Sequence, residues 1–401
     1  MPATLAQSAL RVPHSRIREL AEVAMAMDAS ATTPEDRVLK LYFGESNIPT
    51  PDFIKRAAQK AMADGFTFYT ENAGLPSLRR ALARYYSEQH AVPLDPESEI
   101  VITASGVQAL NVGIRCVLDP GDEALVLTPA WPNGSAIVAM CNAKPVELAQ
   151  PLRGKRYTVD FNALEAALTP RTRLLLYTSP SNPLGWVATL DEQQKLLDFA
   201  RRHNLWLMAD EVYERLYYPA TGLGAPVPSI LKLATRDDAV IVVQSFSKTY
   251  CMTGWRLGWL VARKDLCARA TQLNEFIISH APSMAQRAAE TALLWGETSI
   301  RELLARLKEN RELCLAFLNR IPGVTVPEPE GAFYVFPKVE GLTDSFAFCK
   351  QLLLDTKVGL APGVAFGQGG EGSIRLCYAA ERPILEQALP RIAAFLKDYK
   401  R

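Results

Sequence analysis

Short apolar runs closed by small polar residues alternate, over much of this chain, with stretches whose apolar residues return about every three or four positions. Val101–Thr103, Glu123–Thr128, Lys144–Ala149, Thr172–Thr178, Leu205–Ala209, Ala239–Gln244 and Arg256–Ala262 are runs of the first kind. Continuous aliphatic and β-branched runs without polar alternation suit strands covered on both faces. The second kind predicts helices: Asp52–Ala63 with a proline at its front, amphipathic Leu75–Tyr86, a helix opening at Ser105 and Gly106, a short one before Lys144, and Asp160–Leu168. About seven strands interleaved with helices predict an α/β fold with a large, mostly parallel sheet. Beyond Glu297 the pattern changes. A long helical stretch, Ser299–Ile321, leads to strand-like Gly331–Val339 and Ser373–Ala379. We therefore expect three parts: residues 1–44 joining a small domain, a large domain at 45–296, and a smaller α+β domain at 297–401.

At 401 residues and 48% hydrophobic content the chain is long enough for a large core shared by two domains. A formal net charge of +1 offers no basic footprint for nucleic acid and no acidic tail. Every apolar run is too short or too interrupted by charge to span a bilayer, so no membrane association is expected. Seven scattered cysteines show no CxxC pair or metal-ligand spacing, and His14, His90, His203 and His280 stand apart; no metal site is expected. The thiols read as reduced and mostly buried, which suits a cytoplasmic protein. Arg11, Arg16 and Arg18 precede the first acid, Glu19, in a way that superficially suggests a transit peptide, but an apolar secretory core is missing.

Chemistry gathers at the predicted strand ends. Lys248 follows the Ala239–Gln244 run between Ser247 and a later Arg256, with Ser245 just before. A lone lysine there is ordinarily a solvated loop residue. Two hydroxyls and a planar guanidinium beside it, however, are the equipment for holding a phosphate monoester. Gly106 and Val107 open a helix directly after a strand, where backbone amides form an anion site, and Gln108 adds a side-chain donor. Phosphate beside an amine points to pyridoxal phosphate, whose aldehyde forms a Schiff base with lysine. Asp210 ends a run too apolar for a surface strand, so its carboxylate needs a cation; a pyridinium nitrogen or a buried arginine would serve. Trp131 and Asn182 lie just past two other strands, as a stacking face and a side-chain donor; a core tryptophan and a turn asparagine are the alternatives.

Ser245–Ala262 resembles the lysine region of fold-type I aminotransferases, class I/II, and the resemblance, strengthened by the Asn182-Pro183-Leu184-Gly185 tetrad, covers nearly the whole chain. It implies a fold-type I transferase that moves an amino group between an L-amino acid and a 2-oxo acid, by a ping-pong route through a Lys248 aldimine. It further implies that Asp210 holds the pyridine nitrogen, that Tyr213 and Asn182 face the ring oxygen, and that Trp131 covers the ring. Gly106, Val107, Gln108, Ser245, Ser247 and Arg256 would hold the phosphate. Tyr69 would reach the phosphate of a neighbouring subunit, making a homodimer with shared sites. Gly44, Asn182 and Arg375 would receive the substrate, Arg375 as a bidentate fork for the α-carboxylate. The segment Ser15–Leu20 resembles the family's amino-terminal strap across the site mouth.

The sequence also departs from the family pattern. Ser46 and Asn47 replace the usual proline and acid after Gly44, Asn133 and Gly134 replace a proline-aromatic pair, and Val107 stands where some aspartate-using members carry a lysine. The last departure weakens an aspartate assignment. A β-lyase or biosynthetic cyclase would share every cofactor residue named here. A cofactor-sensing regulator is expected to need an additional DNA-binding domain, for which the residues ahead of Gly44 are too few.

Overall fold

A computed structural model of the chain describes residues 4–10, 12, 14–219 and 222–399. Its centre is a seven-stranded sheet built from β1 (Ile100–Thr103), β2 (Glu123–Thr128), β3 (Lys144–Ala149), β4 (Thr172–Thr178), β5 (Trp206–Asp210), β6 (Val240–Ser245) and β7 (Gly258–Ala262). The strands lie in the order β1-β7-β6-β5-β4-β2-β3. All pairings are parallel except those of β7, which runs antiparallel between β1 and β6. β1, β2, β6 and β7 are buried at every position, as their unbroken apolar runs require. Successive side chains enter two different cores: Ile102, Leu125, Leu207 and Val242 pack on one face, Val101, Val126, Met208 and Ile241 on the other.

β7 decides where chemistry can occur. Because it is antiparallel, it starts where β1 and β6 finish: Gly258 lies opposite both Thr103 and Ser245. A Cβ at Gly258 would come within 2.5 Å of Gly106 N and 2.6 Å of Gln244 O, so glycine alone allows the turn after β1 to approach the end of β6. The helix Gly106–Arg115 thereby begins directly over the carboxyl edge of the sheet, capped by the Ser105 hydroxyl, which accepts from Gln108 N–H at 3.2 Å.

The rest of the chain closes over that edge. Helix Arg16–Ala29 buries Ile17, Leu20, Ala21 and Ala24 and packs on helix Ser345–Thr356. The two-residue strand Leu39–Lys40 pairs in parallel with Val358–Gly359. A three-stranded sheet, β8 (Tyr334–Val335), β9 (Ala361–Pro362) and β10 (Ile374–Cys377), has β10 at its centre, paired antiparallel with both neighbours. Long helices Glu297–Leu318 and Arg382–Asp398 pack against each other behind it. Helix Asp52–Ala63 matches the sequence expectation residue for residue. The helix expected at Leu75–Tyr86 runs Pro76–His90, ending in a left-handed Ala91 that the periodicity did not signal. Strand-like Gly331–Val339 is broken at Pro337 into two short pieces, because proline supplies no N–H to continue the ladder. Among the described residues no helix is long and apolar enough to cross a membrane.

Candidate active site

Four carboxyl-edge positions of the large sheet converge with β10. Asp210 is the last residue of β5, and its register partners are Thr178 on β4 and Val243 on β6. Asn182 follows β4, Ser245 ends β6, and Lys248 lies in the turn beyond it. Lys248 Nζ donates to the Gly44 carbonyl at 2.5 Å and stands 5.7 Å from the centre of the Tyr213 ring. Burial pulls its ammonium down to about 8, and the Arg375 and Arg256 guanidiniums add repulsion. A free amine is therefore accessible near neutrality.

Asp210 is only 8% exposed, and its carboxylate takes one hydrogen bond, from Val212 N–H at 3.3 Å. Burial pushes its pKa up to about 7, against the pull of Lys248 and that hydrogen bond. No arginine pairs with it among the described residues, which removes the ion-pair alternative left open by the sequence. This carboxylate still needs a cation, and a protonated ring nitrogen supplies one. Pyridoxal phosphate fits on that ground, with the helix at Gly106 and the hydroxyls at Ser245 and Ser247 as the anion side of the cradle. Ser245 Oγ donates to Ser247 Oγ at 2.9 Å and accepts from Ser247 N–H at 3.1 Å. Both serines are buried, whereas Arg256, in a left-handed conformation, is exposed and donates to Thr253 O at 2.7 Å.

The residues expected to receive the substrate also have defined partners. Arg375 is fully buried; its Nη1 donates to Asn182 Oδ1 at 2.9 Å, its Nη2 donates to the Tyr42 carbonyl, and its Nε has no partner among the described residues. The guanidinium lies 4.6 Å from the centre of the Tyr334 ring and 4.9 Å from that of Phe366. Gly44 reaches the site because Leu41 N–H donates to Gly359 O and Cys377 N–H donates to Leu41 O, stitching its strand to β10. A Cβ there would lie 2.5 Å from Tyr334 Oη. Trp131 is half-buried just past β2, and Val107 is exposed. Gln108 is turned toward Asn274, to which it donates at 3.4 Å.

The geometry thus brings together Lys248, Asp210, Tyr213, Asn182, Arg375 and Gly44. Tyr69 stands outside this group: it is 89% exposed, its ring edge-on to His280. Two participants escaped the sequence reading. Tyr334 donates to or accepts from Tyr213 at 2.7 Å, and Tyr42 contributes a backbone carbonyl to Arg375. Tyr334 lay in a stretch read only as a strand; its place opposite Cys377, two residues from Arg375, is a register fact that one sequence does not carry.

A half-buried lysine and an unpaired buried aspartate at the carboxyl edge of a mostly parallel sheet define a fold-type I pyridoxal phosphate enzyme. The chain belongs to the family aminotransferase class I and II, which it matches over residues 38–392. Members of this family use pyridoxal phosphate, and the chain is an aminotransferase that depends on it. It is 35% identical to the aspartate aminotransferase of Pyrococcus horikoshii over 402 residues, covering 99% of this chain and 98% of that one. With the aromatic-amino-acid aminotransferase 2 of Thermococcus litoralis it shares 32% identity over 390 residues, 96% of each chain. The solved structure of an alanine aminotransferase from Pyrococcus furiosus superposes with a TM-score of 0.90 at 28% identity, covering 99% of this chain and 100% of that one.

Proposed function

We propose that this aminotransferase works in two half-reactions, with Lys248 as the proton carrier, Asp210 as the anchor of the ring nitrogen and Arg375 as the receiver of the substrate α-carboxylate. Bound pyridoxal phosphate supplies an aldehyde for the amine and a ring that takes up the electron pair left at the α-carbon. Lys248 Nζ, with its proton affinity lowered by burial, takes the α-proton and returns it on the cofactor side. Asp210 keeps the ring nitrogen charged because an ionised carboxylate at 8% exposure is otherwise costly. Arg375, fixed by Asn182 and Tyr42, presents a pre-oriented fork, so little side-chain entropy is lost on binding. Gly106, Val107, Gln108, Ser245, Ser247 and Arg256 are assigned to the phosphate, and Trp131 to the ring face.

The observation that carries this reading is Asp210, buried with no ion-pair partner among the described residues and sensing the charge of a half-buried lysine of lowered proton affinity. Relatives are named for aspartate, aromatic amino acids and alanine, so the donor follows from experiment. Val107 carries no charge with which to read a distal carboxylate, which supports donors beyond aspartate. We further infer a homodimer in which Tyr69 serves the partner's phosphate; exposed Phe68, Tyr69 and Phe276 support an association face. The division at residues 44 and 296 is our reading of where the part carrying Arg375 separates from the cofactor-binding part. Substrate binding is inferred to close one onto the other. Seven free cysteines support a cytoplasmic setting.

The test is the visible absorption of the purified protein during addition of single L-amino acids, without any 2-oxo acid. Conversion of the cofactor band to the amine form, reversed by a 2-oxo acid, is expected and names the donor. Release of ammonia in place of that exchange would overturn transamination in favour of a lyase or cyclase.

A further inference from the structure

Tyr213 and Tyr334 share one hydrogen bond, 2.7 Å between hydroxyl oxygens, and both side chains are buried, Tyr334 completely. Each phenol has one proton to give, so the bond has a direction. Tyr334 sits on β8 opposite Cys377 of β10, which puts its side chain on the same face as Arg375, and the guanidinium stacks on its ring. Arg375 only donates, so it offers the Tyr334 proton no acceptor. Gly44 packs against the same hydroxyl, closely enough that a Cβ would touch it. Among the described residues, the one acceptor within reach of the Tyr334 proton is therefore the Tyr213 oxygen. Were Tyr213 the donor, the Tyr334 proton would be buried with nothing to bond; with Tyr334 as donor, the Tyr213 proton is left for a ring oxygen of the cofactor, the acceptor that breaks the symmetry of the pair.

We propose that Tyr334 is a positioning residue that sets the polarity of this pair: Tyr334 donates to Tyr213, and the Tyr213 proton is thereby directed to the ring oxygen of the cofactor. The proposal rests on the cofactor reading above. A hydroxyl that accepts one hydrogen bond becomes a stronger donor in the next, so Tyr334 strengthens the hold of Tyr213 on an ionised ring oxygen. Burial keeps both phenols protonated at neutral pH, as this relay requires. Because Tyr334 shares β-sheet and ring contact with Arg375, it ties the carboxylate-binding side of the site to the cofactor side.

The experiment is a visible pH titration of the cofactor-loaded enzyme, reading the midpoint at which the bound cofactor changes colour. Wild type is compared with Tyr334→Phe, Tyr213→Phe and the double variant. Phenylalanine keeps the ring under Arg375 and removes only the hydroxyl. Tyr334→Phe is expected to raise the midpoint by about half a pH unit, a roughly threefold change in the acid constant. Tyr213→Phe is expected to raise it further, and the double variant to match Tyr213→Phe alone, because Tyr334 acts only through Tyr213. An unmoved midpoint in Tyr334→Phe beside a clear shift in Tyr213→Phe overturns the relay while leaving the cofactor reading intact. A double variant that shifts by the sum of the singles also overturns it. If Tyr213→Phe itself has no effect, the assignment of Tyr213 to the ring oxygen fails, and the relay with it.

Discussion

Asp210 is the residue at which the fold works against itself. Its carboxyl has a pKa of about 7 in the folded protein against 3.8 ordinarily, so between those values the native state holds a proton that the unfolded chain has lost. Its contribution to the stability of the cofactor-free protein therefore falls as pH rises from about 4 to about 7. Glu211 is likewise pushed up to about 7 by burial and by Glu214, and contributes a slope of the same sign. Comparison isolates Asp210: thermal unfolding of cofactor-free Asp210→Asn should lose markedly less stability over this range than wild type. Equal losses in the two proteins would mean that Asp210 is not the strained group. Loading with pyridoxal phosphate should flatten the wild-type slope if, as proposed, the ring nitrogen gives the carboxylate its cation. The need for a partner was legible in the sequence from the apolar run Leu205–Ala209 alone. The identity of its neighbours was not, because Val243 and Thr178 reach Asp210 by strand order.

At the scale of elements, the site depends on one antiparallel strand in a parallel sheet. Seven strands and their alternation with helices were visible in the hydrophobic pattern; the reversal of β7 was not, since buried parallel and antiparallel strands read alike in composition. The helices Lys264–Ile277 and Ser283–Trp295 were not predicted either, although Pro282 and Gly296 bracket the second of them. Gly258 is where the reversal meets chemistry. Its nearest neighbours are backbone atoms, Gly106 N, Gln244 O and Ser105 C, which cannot swing away as a side chain tip does. Gly258→Ala should therefore part the Gly106 helix start from Ser245 and weaken the phosphate cradle. We expect at least about a tenfold higher dissociation constant for pyridoxal phosphate, equivalent to about 1.4 kcal/mol, measured by fluorescence titration of the cofactor-free protein. Unchanged affinity in a folded Gly258→Ala protein would remove that cradle from the phosphate assignment.

For the whole molecule, the resemblance to known aminotransferases carried more than the physics of one chain. Tyr69 was assigned to the cofactor phosphate of a neighbour, and the single chain leaves it 89% exposed, next to Phe68 at 80%. An exposed aromatic pair of this kind is expected where a second copy packs, and shared sites make a sharper demand than association alone. On that assignment, Tyr69→Ala and Lys248→Ala would each lack one half of every site of a dimer. If Lys248 carries the proton as proposed, Lys248→Ala should lose at least about 10³-fold in turnover. When the two are unfolded and refolded together in equal amounts, half of the dimers are mixed. Each mixed dimer holds one site with both defects and one with neither, so activity should recover to about a quarter of wild type. Sites contained within one chain give the opposite result: every site then carries one defect however the subunits mix, and co-refolding yields no more than the mean of the two variants. Recovery would place Tyr69 in its partner's site, and its absence in verified mixed dimers would return the phosphate cradle to residues of a single chain.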